Sequence, residues 1–419
     1  MSQISLDAPH PAPAAHSAAD DVLARALERR RAQTAALAAS IEPLCAACAE
    51  LAERIARGGR LFVLGSGRAR ADAHHLALEF LHPVIVGKRA VPALALDPGA
   101  EPHALERSAS PGDVAIAVIG SEPAPEVWRA LEAARERGLL ALALANAPDG
   151  ARPAPPGVHW LDPGARDARL AKEGRVATYH LLWELTHVLL ENAGRVGAPD
   201  ATWARLYPFL GESGERREPV RADLCASGAA KLRALAELRD ATVGGQAPLL
   251  GRCAETIGAA LRGGAQLWSF GNGGSQTDAE WIADCFTGGR GDPEWRARSL
   301  AADPAVLTAL ANDVGFERVF ARQIAALARA GDVALGISTS GSSENVVAGI
   351  AEAKRRGLVT VALVGGDGGR LARCDDVDFL LLVPSDSVHR IQEVQAALYH
   401  ILYELARSSA GRGERECAS

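Results

Sequence analysis

The sequence predicts an α/β protein of two tandem domains, each a parallel sheet sandwiched between helices, of the flavodoxin or Rossmann kind. At 419 residues the chain is too long for one ordinary hydrophobic core. Each half repeats the same order of a long helix, a strand with a glycine turn, and further strands alternating with helices. This alternation favours a parallel sheet covered on both faces.

The internal repeat is visible when two stretches are set side by side. The stretch "LFVLGSGRARADAHHLALEF" in the first half corresponds to "LWSFGNGGSQTDAEWIADCF" in the second, which pairs Gly65 with Gly271. Further along, "GDVAIAVIG" corresponds to "GDVALGIST" and pairs Asp113 with Asp332. Self-similarity of this length predicts a duplicated domain.

The domain organisation follows from this repeat and from the charged segment with Gly and Pro between the copies. Each domain is expected to begin with a long helix, over residues 19–57 and again over residues 223–262. The predicted parts are a disordered Ala/Pro tail (1–18), the first domain (19–210), a linker (211–222), the second domain (223–410) and a C-terminal tail (411–419).

The composition excludes several classes of protein. The 51 acidic and 45 basic residues form no large blocks, so we expect no nucleic-acid partner. A signal peptide and an apolar run of about 20 residues are both missing, so we expect a cytoplasmic protein without a membrane partner. The 7 cysteines fit reduced thiols, and the CxxC spacing of Cys45 and Cys48 favours packing over a zinc or redox site.

Two turns in the second half predict a binding site for a phosphate group. In the first turn, three glycines let the backbone approach a ligand, while Asn272 and Ser275 add side-chain donors at a helix N-terminus. The second turn, "ISTSGSSENV", brings five hydroxyls to another helix start, and a capping box explains only one or two of them. Without a GKS or GKT sequence, a phosphorylated small metabolite is favoured over a nucleoside triphosphate. A purely structural role for the two turns is the alternative.

Five motifs of the second half belong together, in chain order "GNGGS", "TALANDVGFERVFARQ", "GISTSGSSENV", "GGDGGRLA" and "RIQEVQAALYHIL". In this order they resemble sedoheptulose 7-phosphate isomerases (phosphoheptose isomerases), a family of the sugar isomerase (SIS) domain superfamily. The resemblance covers nearly all of residues 223–407. The first half resembles the same fold more loosely, which implies two tandem SIS domains with a divergent first copy that lacks the phosphate loop.

The resemblance implies a set of substrate-binding residues, to which the turn itself adds Ser275. The matching positions are Asn272, Gly273, Gly274, Asn312, Asp313, Ser338, Thr339, Ser340, Ser343 and Gln392. Gln392 and His400 also match positions that hold the family's zinc, and a separation of eight places them near one face of a helix. Without the family, His400 would be interpreted as a core histidine.

The second half departs from the family at two positions. Trp281 stands where the family has a zinc-binding histidine, and Cys285 stands where it has the glutamate that binds metal and transfers protons. A thiolate can bind zinc but an indole cannot. The second half is therefore expected to be a poor isomerase on its own.

The first half retains what the second half has lost. His75 and Glu79 fall on the family's histidine and glutamate, and their spacing of four suits two ligands of one metal or a base with its orienting partner. On spacing alone, a solvent-facing ion pair is the favoured explanation of these two residues. His187 matches the zinc histidine near the end of the domain. Tyr179 stands at the glutamine position, where the adjacent His180 could substitute.

The phosphate-binding turns of the first half are altered. Arg68 and Ala69 replace a glycine and a serine of the first turn. In the second turn Glu122 adds a negative charge and Pro123 lacks an N–H group. This half is not expected to bind a phosphosugar by itself.

These complementary losses predict composite sites in which each half supplies one part, within one chain or between chains. The predicted catalytic residues are Glu79 as the base, His75, and His400 as a proton shuttle. The candidate zinc ligands are His75, Glu79, His187, Gln392 and His400, which come from two halves and are not all expected to meet at one ion. Oligomers are expected to be pseudo-tetramers, that is, dimers of two-domain chains.

The predicted reaction is an aldose–ketose isomerisation in heptose biosynthesis, from sedoheptulose 7-phosphate to D-glycero-D-manno-heptose 7-phosphate. Two alternatives remain at the level of the sequence. One is a non-catalytic phosphosugar-binding sensor or assembly protein, which the Trp281 and Cys285 changes favour. The other is an isomerase of a different sugar phosphate.

Overall fold

A computed structural model describes seven stretches of the chain: residues 18–85, 87–100, 103–120, 124–146, 156–193, 217–288 and 295–416. Most of the predicted N-terminal tail, residues 211–216 of the predicted linker, and the first-half turn residues Glu122 and Pro123 lie outside these stretches.

The elements of the first half are, in chain order, α1 (Ala18–Ala39), α2 (Ile41–Ala56), β1 (Leu61–Leu64), α3 (Ala69–Leu81), β2 (Ala93–Leu96), α4 (Ala104–Ser108), β3 (Val114–Val118), α5 (Pro125–Glu136), β4 (Leu140–Leu144), β5 (Val158–Leu161) and α6 (Ala168–Ala193).

Those of the second half are α7 (Arg217–Gly245), α8 (Ala247–Arg262), β6 (Gln266–Phe270), α9 (Gly274–Thr287), β7 (Arg296–Ser299), α10 (Pro304–Val314), α11 (Val319–Leu327), β8 (Val333–Ser338), α12 (Glu344–Arg355), β9 (Val359–Gly365), β10 (Phe379–Val383) and α13 (Val388–Glu416). Helix α7 thus begins inside the predicted linker, and α13 continues past the predicted end of the second domain.

Each half contains a five-stranded sheet, and the two sheets have the same strand order. The orders are β2-β1-β3-β4-β5 and β7-β6-β8-β9-β10, and every pairing is parallel. Aspartates at equivalent positions make equivalent hydrogen bonds in the two halves. Asp113 accepts a 2.8 Å hydrogen bond from the backbone N–H of Arg60, and Asp332 accepts one of 2.9 Å from that of Gln266. The predicted fold class of two tandem parallel α/β domains is confirmed.

The long helical region that opens each half consists of two helices. The break lies at Ser40 in the first half and at Gln246 in the second. No single helix within the described stretches is long and apolar enough to cross a membrane. Helices α1 and α2 have the length and composition of a membrane span only when they are taken together, and the pair is bent by 55°.

One hydrophobic core joins the two halves. It extends from α1 and α2, such as Leu51, through the central helices α3, α6, α9 and α13 to residues such as Tyr399. Two smaller cores cover the outer faces of the two sheets. Because the central helices of both halves share one core, side chains from distant parts of the sequence come into contact there.

Candidate functional site

The two predicted turns of the second half lie side by side at the carboxyl ends of β6 and β8, which are neighbours in the sheet. The amides of Asn272 and Asn345 join them through two reciprocal hydrogen bonds of 2.8 Å. Ser338 and Ser343 close the second turn, with 3.1 Å between their hydroxyl oxygens. We call residues 271–275 and 338–343 the cradle.

Glycine is required in the cradle for two physical reasons. Gly273 has φ of +56°, a conformation that side chains other than glycine rarely adopt. At Gly271 a Cβ atom would lie 2.7 Å from the carbonyl oxygen of Ser275, which is a clash with backbone. The turn therefore presents bare backbone at the start of α9, a suitable surface for an anion.

Two other predicted substrate-binding residues lie elsewhere. Asn312 and Asp313 are on the exposed helix α10, where the amide of Asn312 donates a 2.8 Å hydrogen bond to the Asp313 carboxylate. The structure does not bring them into the contacts that join the two turns.

The most informative contact is between His75 of the first half and Gly274 of the cradle. A Cβ atom at Gly274 would lie 2.4 Å from Nε2 of His75 and 2.5 Å from Nε2 of Gln392. Only a glycine allows both side chains to approach here. Helix α3 thus meets the start of α9, and the His75 ring lies against the backbone of the predicted phosphate cradle.

Hydrogen bonds fix the ring of His75. Its Nδ1 lies 3.0 Å from the hydroxyl of Thr277 and 2.8 Å from that of Tyr179. Thr277 donates its own hydrogen to the carbonyl of Gly274 at 2.7 Å, which leaves its oxygen free to accept from Nδ1–H. This arrangement orients Nε2, the other ring nitrogen, as a potential metal ligand.

Three side chains form a cluster that could hold a metal ion. Potential ligand atoms of His75, Glu79 and His180 all lie within 4.8 Å of one another, and all three residues are buried. Within the described stretches, Nε2 of both histidines and Oε1 of Gln392 have no hydrogen-bond partner, and Nε2 of His75 lies 3.3 Å from Oε1 of Glu79 inside the cluster. Buried polar atoms normally have partners, so these atoms fit a missing ligand. A surface ion pair, the alternative for His75 and Glu79, is wrong because burial excludes it.

His180 is oriented as metal-binding histidines usually are. Its Nδ1 lies 2.9 Å from a carboxyl oxygen of Glu393, whose pKa burial raises to about 8. Burial and the neighbouring His389 lower the pKa of His180 well below its ordinary value, so the ring is neutral. Neutral imidazole is the form that binds metals.

His389 is a residue of this site that the sequence reasoning missed. Its Nε2 lies 3.1 Å from Glu79, and its Nδ1 lies 2.8 Å from Glu184. Although burial opposes the charge, the bonds to the two carboxylates raise the pKa of His389 to about 9. For Glu79, burial opposes ionisation, but the hydrogen bond with His389 and the nearby ring of His75 lower the pKa well below its usual range. The spacing of three between His389 and Gln392 on one helix face was the available signal.

His187 and His400, two of the candidate zinc ligands, lie outside the cluster. Both ring nitrogens of His187 lie 3.0 Å from backbone carbonyls, those of Trp183 and Arg89. His400 accepts a 2.7 Å hydrogen bond from the Trp281 indole, and its Nδ1 lies 2.8 Å from Glu173. Protein atoms lie within hydrogen-bonding distance of all four ring nitrogens, so a metal ion could bind either ring only by displacing them.

The corresponding position in the second half has no metal-binding character. Trp281 takes the place equivalent to His75 and donates to His400. Burial raises the pKa of the Cys285 thiol to about 12, so it is not a thiolate at neutral pH. Between the His75–Glu79 position of the first half and the Trp281–Cys285 position of the second, the first alone presents side chains suited to bind a metal ion.

The fold and the cradle define a protein of the SIS class. Residues 232–365 match the SIS domain family. The likeness in fold extends over both halves: the C-terminal domain of glucosamine-fructose-6-phosphate aminotransferase from Francisella tularensis has a TM-score of 0.61 and 10% identity, with 92% of this chain and 95% of that chain covered.

Curated relatives narrow the class. The phosphoheptose isomerase of Roseiflexus sp. (strain RS-1) is 41% identical over 177 residues, or 42% of this chain and 89% of the relative. That of Aquifex aeolicus is 46% identical over 152 residues, or 36% of this chain and 78% of the relative. The chain therefore belongs to the phosphoheptose isomerase family.

Proposed function

We propose that this chain isomerises sedoheptulose 7-phosphate to D-glycero-D-manno-heptose 7-phosphate at a site composed of both halves. The observation that carries the proposal is the contact of His75 with Gly274. It joins the histidine and glutamate of the first half to the cradle of the second. The relatives of this chain named phosphoheptose isomerase support the choice of substrate.

In this proposal the cradle binds the phosphate and thereby orients the sugar. Phosphate binding remote from the reacting carbons lowers the barrier through positioning. The ionised Glu79 removes the proton alpha to the carbonyl and returns it to the neighbouring carbon, with an enediolate between the two steps. The imidazolium of His389 holds Glu79 in place at 3.1 Å.

The buried cluster fits a zinc ion. His75, Glu79 and His180 would hold it, with the amide oxygen of Gln392 as a fourth ligand, because three of these residues present buried atoms without partners. Bound zinc would polarise the substrate carbonyl and stabilise the negative charge that develops on the oxygens. That chemistry would offset the weak basicity that a low pKa gives Glu79.

The second candidate is a phosphosugar-binding sensor, and one observation favours it. The side chains of His75 and Glu79 are 0% and 1% exposed. A substrate reaches them only if the contact between α3 and α9 opens. A sensor needs the cradle alone and requires no such opening.

A turnover assay separates the two functions. The purified protein is incubated with sedoheptulose 7-phosphate, with and without added zinc, and the aldoheptose phosphate is followed. We expect turnover that falls by about 100-fold or more in Glu79→Gln. The matched control is Cys285→Ala, the same position in the other half, which should retain activity. Binding without turnover would favour the sensor, and turnover of another sugar phosphate alone would change the substrate.

We also propose that two-domain chains pair into a dimer that corresponds to a pseudo-tetramer. A dimer of two-domain chains would contain four domains, the number in a tetramer of single-domain subunits. Light scattering on the purified protein measures the mass directly. A monomer at all concentrations would contradict the proposal.

A further inference from the structure

We propose that the first half carries a second binding site, for an uncharged polyhydroxylated molecule such as an unphosphorylated sugar. The site is a cavity of about 280 Å³ at the carboxyl ends of the first sheet's strands. Its size is close to the lower end of the ~300–1,000 Å³ range of small-molecule sites, which suits a monosaccharide. The inference does not depend on the isomerase activity.

The cavity occupies the position in the first half that the cradle occupies in the second half. Its walls include Ser66 and Glu126 of the first half and Trp281 of the second. Ser66 follows β1 as Asn272 follows β6, and Glu126 is the second residue of its helix, as Asn345 is of α12. Helix α9 supplies Trp281 to this cavity as helix α3 supplies His75 to the cradle.

The two sites differ most where a phosphate would bind. In the second half, neutral amides join the two turns. In the first half, the Ser66 hydroxyl donates to the Glu126 carboxylate at 2.5 Å, and this bond lowers the pKa of Glu126. The ionised carboxylate of Glu126 interacts favourably with the positive end of the α5 helix dipole, and it repels a phosphate dianion.

The remaining walls offer donors and acceptors in balance. Arg68 and Arg175 bring guanidinium groups, while Asp97 and Glu126 bring carboxylates. Asp72 holds Arg175 in place by accepting a 2.7 Å hydrogen bond from its Nε–H. Hydroxyl groups both donate and accept, so a neutral polyol can satisfy such walls without a net charge. The indole of Trp281 adds an apolar wall of the kind that small-molecule sites contain.

A blocking substitution tests the location. Gly120 lines the cavity, and a Cβ atom there would meet only Ala69 at an ordinary 3.7 Å. The backbone of Gly120 therefore accepts a side chain, and we expect the larger side chain of Gly120→Leu to occupy part of the cavity. Gly251→Leu is the matched control, because a Cβ atom there has nothing within 4 Å.

Isothermal titration of the full chain with D-mannose, D-glucose, sedoheptulose, mannitol and sorbitol is the primary measurement. We expect at least one of these probes to bind, and its affinity to fall at least 10-fold in Gly120→Leu but not in Gly251→Leu. Absence of binding by every probe, or binding that Gly120→Leu leaves unchanged, would overturn the site.

Inorganic phosphate tests the ligand class. The double substitution Ser66→Asn with Glu126→Asn recreates the amide pair of the second half. We expect the double variant to bind one more phosphate ion per chain than the wild type. Because the cradle is the same in both proteins, its own phosphate binding does not affect this difference. If Gly120→Leu lowers the phosphate stoichiometry of the wild type, the cavity is an anion site and the assigned class is wrong.

Discussion

Nε2 of His389 lies 3.1 Å from Oε2 of Glu79, although 310 residues separate the two in the sequence. The histidine also lies 2.8 Å from Glu184, so a buried imidazolium bridges two carboxylates. This bridge sets both the position and the charge of the proposed base.

The substitution His389→Gln tests this role. Without the imidazolium, the pKa of Glu79 rises toward its ordinary value, because burial then opposes ionisation with less compensation. The variant loses its ionised base at a higher pH, so the acid limb of the kcat/KM profile should move to higher pH. Activity at neutral pH should fall by about 10–100-fold. The pH–rate profile is the measurement.

The control for this prediction is His103→Gln, which removes an exposed histidine on the first half. It should leave the pH profile unchanged. A His389→Gln profile with an unmoved acid limb would mean that His389 has only a structural role.

Zinc affinity should distinguish His180 from His187. His180→Gln removes a ring whose Nε2 has no partner within the described stretches, so we expect about 10–100-fold weaker zinc binding in competition with a chromophoric chelator. His187→Gln removes a ring whose two nitrogens lie 3.0 Å from backbone carbonyl oxygens, and it should lower the melting temperature but not the zinc affinity. Equal zinc affinities in the two variants would contradict the proposed ligand set.

Much of the cradle could be predicted from the sequence, because its residues are close together along the chain. Gly273 needs a conformation that only glycine tolerates easily, and the serine-rich turn exceeds what capping requires. Parallel strands then bring both turns to one edge of the sheet. The Asn272–Asn345 pair follows from local patterns and topology alone.

The metal cluster could be predicted only in part. His75 and Glu79 share a helix face, so their spacing carries information. The other members come from α6 and α13, and their contact depends on how the central helices of the two halves pack in one core. For this reason the resemblance gave Gln392 together with His187 and His400 as candidate ligands and His180 only as a substitute, whereas packing brings His180 and not His187 or His400 into the cluster.

Gly274→Ala tests the contact between the halves. The added Cβ atom would clash with His75 and Gln392, so the helices must separate or the side chains must move. We expect a loss of activity together with a destabilisation of about 1–3 kcal/mol, measured by urea denaturation. Gly251→Ala, on an open position of α8, should be neutral or stabilising. Full activity in Gly274→Ala would show that the close approach is not needed.

The buried network around Glu173 should determine acid stability. Arg30 donates two hydrogen bonds to Glu173, at 2.6 and 2.9 Å, and His400 lies 2.8 Å away. Burial opposes ionisation, but the charge of Arg30 and the bond from His400 lower the pKa of Glu173 to about 2, from 4.5. We expect Glu173→Gln to cost about 3–5 kcal/mol at neutral pH, because it removes the nearer carboxylate from the buried Arg30 and leaves only the 3.5 Å ion pair with Glu404.

The pH dependence of this cost follows from the lowered pKa. A carboxylate with a lowered pKa contributes stability that is fully present above pH 4.5 and is lost as the pH falls toward 2. The free energies of unfolding of the wild type and Glu173→Gln should therefore converge over that range. Glu352→Gln, which breaks a surface ion pair with Arg355, should cost less than about 1 kcal/mol. A difference between the wild type and Glu173→Gln that stays constant from pH 6 to about pH 2 would show that the lost interaction is not ionic.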